Sequence, residues 1–283
     1  MSTPLPPKTF DRDLIARRLA RRKPDAEDFV TRLVLDDLEE RLLAVIRTFR
    51  QAAILAPDAR QMPLRGNTSL GSFEFERIST VLDPKVDPEA LTLPRGAGYD
   101  LIVSIFDLQV VNDVVGFLAR VRQHLAPDGL FIAAAIGGDS LHELRHAFLT
   151  ADANLSGGAF ARVAPFIPLA DAGGLLQRAG LALPVTDVET HTVRYANPFA
   201  LMQEIRTLGA SNPLADRPGK PMTPRLLAEA ARAYAEDFSD PDGRIRATLE
   251  IIWMSGWAPH ESQQKPLKPG SATVRLKDVL GPN

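Results

Sequence analysis

The chain has no cysteine. That excludes disulfides, thiolate zinc sites, cysteine-ligated iron–sulfur clusters and a cysteine nucleophile, and it fits a reducing, cytoplasmic compartment. No apolar run approaches membrane-spanning length and no signal-peptide core is present, so no transmembrane segment is expected. Charge of one sign is lacking too: 33 Lys and Arg stand against 35 Asp and Glu, for a net charge of −2. Such a balance gives no reason to expect nucleic acid or an anionic membrane as the main partner. Glycine is missing where it matters most. None occurs before Gly66, so the turn after the first apolar strand, Ala52 to Leu55, has no bare backbone against which a nucleotide or sulfonium ligand could lie.

What is present is clearest from Tyr99 to Leu141. Leu101 to Phe106 is an apolar run of buried-strand length. Val114, Leu118, Val121 and Leu125 recur at helical spacing, and Leu130 to Ile136 is a second apolar run. Pro127-Asp128-Gly129 between the helix and that run reads as a turn. Strand, helix and strand at this length predict a parallel βαβ unit with a right-handed crossover. Ligands in open α/β sheets sit outside the carboxyl ends of the strands. Asp107 to Asn112 and Gly137 to Ser140 are therefore expected beside any pocket.

Ahead of this unit, Arg17, Arg18, Arg21 and Arg22 crowd one segment, which reads as a solvated helix face or a basic partner-binding helix. Asp28 to Phe49 predicts an amphipathic helix with Val34, Leu38, Leu42, Val45 and Phe49 in one stripe. Phe73 to Ser79 alternates as a strand. Glu76 on it is placed either to take ribose hydroxyls or simply to face solvent. Leu82 to Gly98 is punctuated by Pro and Gly and reads as loop, and so does Ala151 to Pro165, a place where substrate contacts are common. Helices are expected at Leu169–Ala179, after Pro198 and after Pro224. Strands are expected at Val185–Tyr195 and Ala247–Gly256. Met1–Pro7 and Pro259–Asn283 read as irregular ends.

Ser140-Leu141-His142-Glu143 has the form of a capping box, in which the hydroxyl and the carboxylate each satisfy a free amide of the first helical turn. The same stretch continues to His146 as a literal HExxH. That pattern would place two imidazoles and a general base on one helix face for zinc-assisted hydrolysis. Glu143 has a competing capping task and no third ligand follows, so no metal is expected.

Placed in order, Phe10-Asp11-Arg12, Tyr99-Asp100-Leu101-Ile102-Val103-Ser104, Asn112-Asp113, Leu125 to Phe131 and Gly137-Gly138-Asp139-Ser140-Leu141 form a recognisable series. It continues through Pro165-Phe166, Asp171, Arg178-Ala179-Gly180, Leu208-Gly209 and Ser211-Asn212. Gly256-Trp257-Ala258-Pro259-His260 and Pro269 to Ala272 close it. This set resembles the class I S-adenosylmethionine-dependent methyltransferases, and within them the bacterial relatives of mitochondrial complex I assembly factor 5. The malonyl-carrier-protein methyltransferases of biotin synthesis are similar.

The resemblance implies an α/β fold: a Rossmann-like, doubly wound, mostly parallel seven-stranded sheet. A helical extension over 1–50 would precede the domain at 51–260, with a tail at 261–283 packed on it. It implies S-adenosylmethionine as cofactor, with Ala56, Asp58, Glu76, Asp107 and Leu108 as its contacts. On the acceptor side it implies Asp139, Arg145, Tyr195, Asn212, Trp257 and His260. Trp257 and His260 read equally as an indole packing the tail and an imidazole capping it.

Two departures stand out. The family's Gly-rich turn is here Ala56-Pro57-Asp58-Ala59-Arg60, in which Pro57 lacks an amide donor, and its His-Trp pair is here Gln109-Val110. Two functions follow as expectations. One is methyl transfer to a protein or small-molecule acceptor. The other is a non-catalytic assembly or binding protein that has lost the cofactor. The resemblance gives both a complex I subunit or assembly factor as partner, with arginine hydroxylation as a precedent beside methylation.

Overall fold

A computed structural model describes residues 8–23, 26–87, 89–218 and 222–264. The expectations for Met1–Pro7 and for the tail beyond residue 264, with its Pro269 to Ala272 motif, lie outside the described residues. Helix α1 spans Arg12–Arg21 and α2 Phe29–Leu43. Strand β1 spans Ala52–Ala56, and a single 3-10 turn follows at Ala59–Gln61. Then come β2 at Arg65–Thr68, β3 at Gly71–Ser79, β4 at Tyr99–Ile105, α3 at Val114–His124 and β5 at Leu125–Ile136. After them lie α4 (His142–Ser156), α5 (Leu169–Arg178), β6 (Ala182–Tyr195), α6 (Pro198–Thr207), α7 (Pro224–Phe238) and β7 (Ile245–Trp257).

The strands form one sheet in the order β2-β3-β1-β4-β5-β7-β6. β3, β1, β4 and β5 are mutually parallel; β7 runs against β5, and β6 against β7. Five strands thus share one direction, with β7 and the edge strand β2 opposed. This is a Rossmann-like, mostly parallel seven-stranded sheet, as the resemblance implies.

Alternation along β4 explains the layers. Ile102 faces a core built with Phe117, Leu118 and Val121 of α3 and Leu175 and Leu176 of α5. Leu101, Val103 and Ile105 face the other way, onto Val34, Leu38 and Leu42 of α2. A strand buried on both faces needs mostly apolar residues; between Leu101 and Ile105 only Ser104 is polar, and its hydroxyl donates to Asp107. A third cluster joins α4, α6, α7 and the start of β7 through Leu144, Phe148, Leu201 and Tyr234. In a fourth, Ile15 and Leu19 of α1 meet Ala164 and Leu214.

The loop expected over Ala151 to Pro165 starts only after Ser156, where α4 ends. Three other local expectations change. The helix predicted over Asp28 to Phe49 ends at Leu43. Phe49 still reaches the same core from an irregular segment, edge-on to Phe73 at 5.3 Å. Pro127-Asp128-Gly129 does not separate helix from strand. It loops out of β5, whose pairing with β4 jumps from Tyr99↔Leu125 to Leu101↔Leu130. Asp128 takes φ 60 there, and a Cβ on Gly129 would lie 2.8 Å from the Tyr99 carbonyl oxygen, so only glycine fits.

The third change is the capping box. Ser140 Oγ instead accepts from Glu250 N at 2.9 Å and donates to Glu250 O at 3.1 Å. Glu143 accepts from Thr248 N at 2.9 Å and Thr248 Oγ1 at 2.6 Å. Both side chains bond to β7, and Leu141 takes the N-cap position with no side-chain bond.

Candidate active site at the carboxyl rim

The geometry of the rim follows from how β1 connects to β3. Adjacent parallel strands need a crossover of a dozen or more residues, usually a helix. Here residues 57–70 contain only the 3-10 turn and β2. β2 pairs antiparallel with β3, from Arg65↔Glu74 to Thr68↔Gly71, and so carries the chain back down the sheet edge itself. No helix begins at the end of β1, so this connection brings no helix N-terminus to the crevice.

The turn after β1 spends its polar groups internally. Thr80 N donates to Ala56 O at 2.8 Å, and Val81 N and Leu82 N donate to Pro57 O at 3.3 and 3.2 Å. Ala59 N donates to Ser79 Oγ at 2.9 Å. Asp58 accepts from Arg60 N, Nε and Nη2 at 3.1, 2.8 and 2.7 Å. Burial raises the Asp58 carboxyl, but those bonds from Arg60 outweigh it and hold the group below its usual range. Ala56 is buried, and Pro57 has no amide to offer. The donors and bare backbone that would receive a methionine carboxylate are thus absent from this turn.

The other expected cofactor contacts do not line the rim cavity. Glu76 sits three residues before the end of β3, about 10 Å down the strand. Its carboxylate accepts from Tyr99 Oη at 2.7 Å and Arg95 Nε at 3.3 Å. Asp107 is fully buried, accepting from Ser104 Oγ at 2.7 Å and from Thr80 Oγ1. Burial pushes its carboxyl up to about 6, against the pull of the two hydroxyls and of Arg12. Leu108 is 1% exposed and belongs to the core.

The acceptor-side candidates divide into three places. Tyr195 and Asn212 line a cavity of about 280 Å³ at the rim, together with Ala56 and Asp58. Burial, and then the neighbouring Glu204 carboxyl, raise the Tyr195 phenol. Asn212 fixes loops, with Nδ2 donating to Ala161 O at 2.7 Å and Oδ1 accepting from Leu214 N at 3.1 Å. Asp139 and Arg145 border a separate cavity of about 500 Å³ beside Glu250, whose carboxyl is raised by burial and then by Asp139.

Trp257 ends β7 opposite Leu130, at the amino end of the parallel strands and therefore across the sheet from the rim. The Arg47 guanidinium lies 5.1 Å over its indole. His260 is in the turn that follows, its Nδ1 2.7 Å from Ser262 Oγ. The structure brings Tyr195, Asn212, Ala56 and Asp58 together and leaves the others elsewhere.

The HExxH residues share one side of α4 but meet no third ligand. His146 Nε2 lies 3.1 Å from Asp237 Oδ2, and both imidazoles stand edge-on to Phe238. Among the described residues no group of three or more His, Asp or Glu is placed to hold a metal ion.

Other rim residues gave no sign of themselves in the sequence. Arg162 grips the buried Asp152 through two bonds of 2.7 Å, closing the loop after α4 over the cavity. The arginines on and just after α1, expected on a solvated face or as a basic partner-binding helix, divide between solvent and the chain itself. Arg12 Nη2 donates to Thr80 O at 2.9 Å, Arg18 Nη1 to Asn212 O at 2.8 Å, and Arg22 Nη2 to Asp28 Oδ2 at 2.7 Å. Arg17 and Arg21 remain exposed. The 3.6-residue spacing of 15 and 19 was the available signal that α1 has a buried side.

No family model matches the chain. Among curated proteins it is 36% identical over 181 residues to the mitochondrial arginine-hydroxylase NDUFAF5 of Danio rerio, covering 64% of this chain and 56% of that one. It is 39% identical over 181 residues to the human NDUFAF5, of which 52% is covered. The chain thus spans about half the length of these hydroxylases. A malonyl-[acyl-carrier protein] O-methyltransferase of Xylella fastidiosa is 30% identical over 236 residues, covering 82% of this chain and 76% of that protein. Among solved structures, the YcgJ protein of Bacillus subtilis superimposes over 81% of this chain and 99% of its own, with a TM-score of 0.47 and 13% identity. With that methyltransferase matched over three quarters of its length, and the strand order already described, the chain belongs to the class I S-adenosylmethionine-dependent methyltransferase family as a relative of NDUFAF5.

Proposed function

We propose that this chain is a methyltransferase-fold protein that no longer holds S-adenosylmethionine and acts as a binding protein in the assembly of respiratory complex I. One observation carries the reading: the connection over residues 57–70. It replaces the helix and glycine turn that would cradle the cofactor with an edge strand and an Asp58–Arg60 clamp. A fold does not guarantee its site, and here the lost elements are the ones that touch the ligand. Complex I as the destination is drawn from the resemblance to the assembly factor and from the NDUFAF5 relatives. The partner is a subunit or another assembly factor.

Calorimetric titration of the full chain with S-adenosylmethionine tests the first half. No heat of binding at millimolar ligand is expected, and micromolar affinity would sink it. Co-purification from the native host tests the second. Complex I subunits or assembly factors are expected with the wild type, and reduced recovery with Arg17→Glu/Arg21→Glu, whose side chains are exposed on α1. Recovery of neither class of protein counts against the assembly role.

A further inference from the structure

We propose that the cavity beside Glu250 binds a free α-amino acid with an apolar side chain, its ammonium received by Glu250 and Asp139 and its carboxylate by Arg145. Of the residues lining this cavity, only Phe166 also lines the one at the rim. Its occupancy is therefore independent of whether S-adenosylmethionine binds, and of the assembly role.

The turn at the end of β5 gathers three charges. A Cβ on Gly137 would collide with Glu250 Oε1, so only glycine there leaves room for that carboxylate. Gly137 N donates to Glu250 O at 2.8 Å, and Ser140 Oγ bonds the same stretch of β7. Asp139 lies between them in the turn. Arg145, in the first turns of α4, reaches back to it, with Nη2 donating to Ser140 O at 3.4 Å. Glu250, Asp139 and Arg145 all line the one cavity, about 500 Å³, a size within the range of small-molecule sites.

Among the described residues, none of the three forms an ion pair. Glu250 is 8% exposed. Burial, and then Asp139, raise its carboxyl against the pull of the Asp139 and Gly138 amides. A carboxylate so buried is rarely left without a cation. Arg145 lacks a carboxylate in its turn. An amine answers one sign and leaves the other, and so does an acid; an α-amino acid brings both charges on one carbon. Helix α5 adds to the carboxylate side. Pro168 and Leu169 line the cavity, and the first turn of α5 has no side-chain cap, so its free amides favour an anion beside the charge of Arg145. Phe166, Leu169 and Val188 supply apolar wall, and Leu169 is 38% exposed, area that a hydrocarbon side chain would cover.

The test is calorimetric titration of the full chain with L-leucine and with its two halves in charge: 3-methylbutylamine, which lacks the carboxylate, and 4-methylpentanoate, which lacks the ammonium. Saturable binding of one leucine per chain is expected, with each of the others about tenfold weaker or more. Arg145→Gln and Asp139→Asn change side chains that are not buried, so both variants should keep the wild-type melting temperature. Arg145→Gln should weaken leucine about tenfold and leave the amine unchanged; Asp139→Asn should weaken leucine and the amine but not the acid. Glu250→Gln should abolish leucine binding, and cooperative melting of that variant separates lost binding from lost fold. The proposal is overturned if leucine gives no heat at millimolar concentration, if the amine or the acid binds as tightly as leucine, or if Arg145→Gln weakens amine and leucine alike.

Discussion

Arg60 turns back on Asp58, its Nη2 and Nε meeting the two carboxylate oxygens at 2.7 and 2.8 Å, two residues beyond the end of β1. The same Nη2 donates to the Leu19 carbonyl at 3.0 Å, so the pair also fastens the last turn of α1 to the rim. Arg60 is one-third exposed, so solvent screens the pair and its worth is modest. Arg60→Ala is expected to cost about 1 kcal/mol in urea denaturation at neutral pH. Because Asp58 is held below its unfolded value, its stabilisation is present above that value and lost as pH falls through the lower, folded one. The difference between wild type and Arg60→Ala should therefore shrink in acid. Amide exchange in the last turn of α1 should accelerate in the variant; unchanged exchange would mean that the Leu19 bond fastens nothing.

Restoring glycines should not restore the cofactor. In the proposed loss of the cofactor, topology counts as well as composition, since β2 provides the return path that a helix would otherwise follow. A triple variant with Pro57→Gly, Asp58→Gly and Arg60→Gly removes the clamp and returns bare backbone. It still provides no helix N-terminus. Calorimetry with S-adenosylmethionine is expected to remain silent for the variant, and a micromolar dissociation constant would show that side chains alone had closed the site.

Asp107 joins the ends of β3 and β4 by accepting from Thr80 Oγ1 and Ser104 Oγ. Full burial raises its carboxyl to about 6, from an ordinary value of 3.8. A folded state that holds a proton more tightly than the unfolded one is favoured most below the unfolded pKa and loses that advantage as pH rises through the folded value. The contribution of Asp107 should thus decline between pH 4 and pH 6 by roughly 3 kcal/mol and stay flat above that window. Asp107→Asn lacks the titration. Plotted against pH, the stability of wild type minus that of the variant should fall across this window, and parallel curves would contradict the raised carboxyl.

Much of the fold was legible because it rests on repeated local signals. The apolar run over 101–106 and the stripe of Val114, Leu118 and Val121 each report a buried face directly. What was not legible depends on partners distant in the chain. Ser140 and Glu143 spell a capping box, yet their bonds go to β7, more than a hundred residues later. Trp257 carries a specific motif but ends an antiparallel strand, and that reversal places it across the sheet from the cavity. The missing glycines were visible in the sequence. The strand that replaces the helix was not, because Arg65 to Thr68 is too short to show a period of its own.

Asp152 and Arg162 lie only ten residues apart, and their removal gives the sharpest expected effect. Asp152 is wholly buried on α4, and Arg162, 11% exposed, comes to it from the loop after that helix. Its guanidinium also lies 5.5 Å over the Phe160 ring. Taking away one partner strands the other as an unpaired charge in a dry site, which costs far more than the pair contributes. Asp152→Ala should lose about 3 to 5 kcal/mol, and Asp152→Ala with Arg162→Met should recover a large part of that. Amide exchange across residues 157–168 should rise in the single variant, since this pair fixes the loop over the cavity. A double variant no more stable than the single one would mean that burial of the loop's apolar residues, Val163 and Ala164, holds the segment in place without the ion pair.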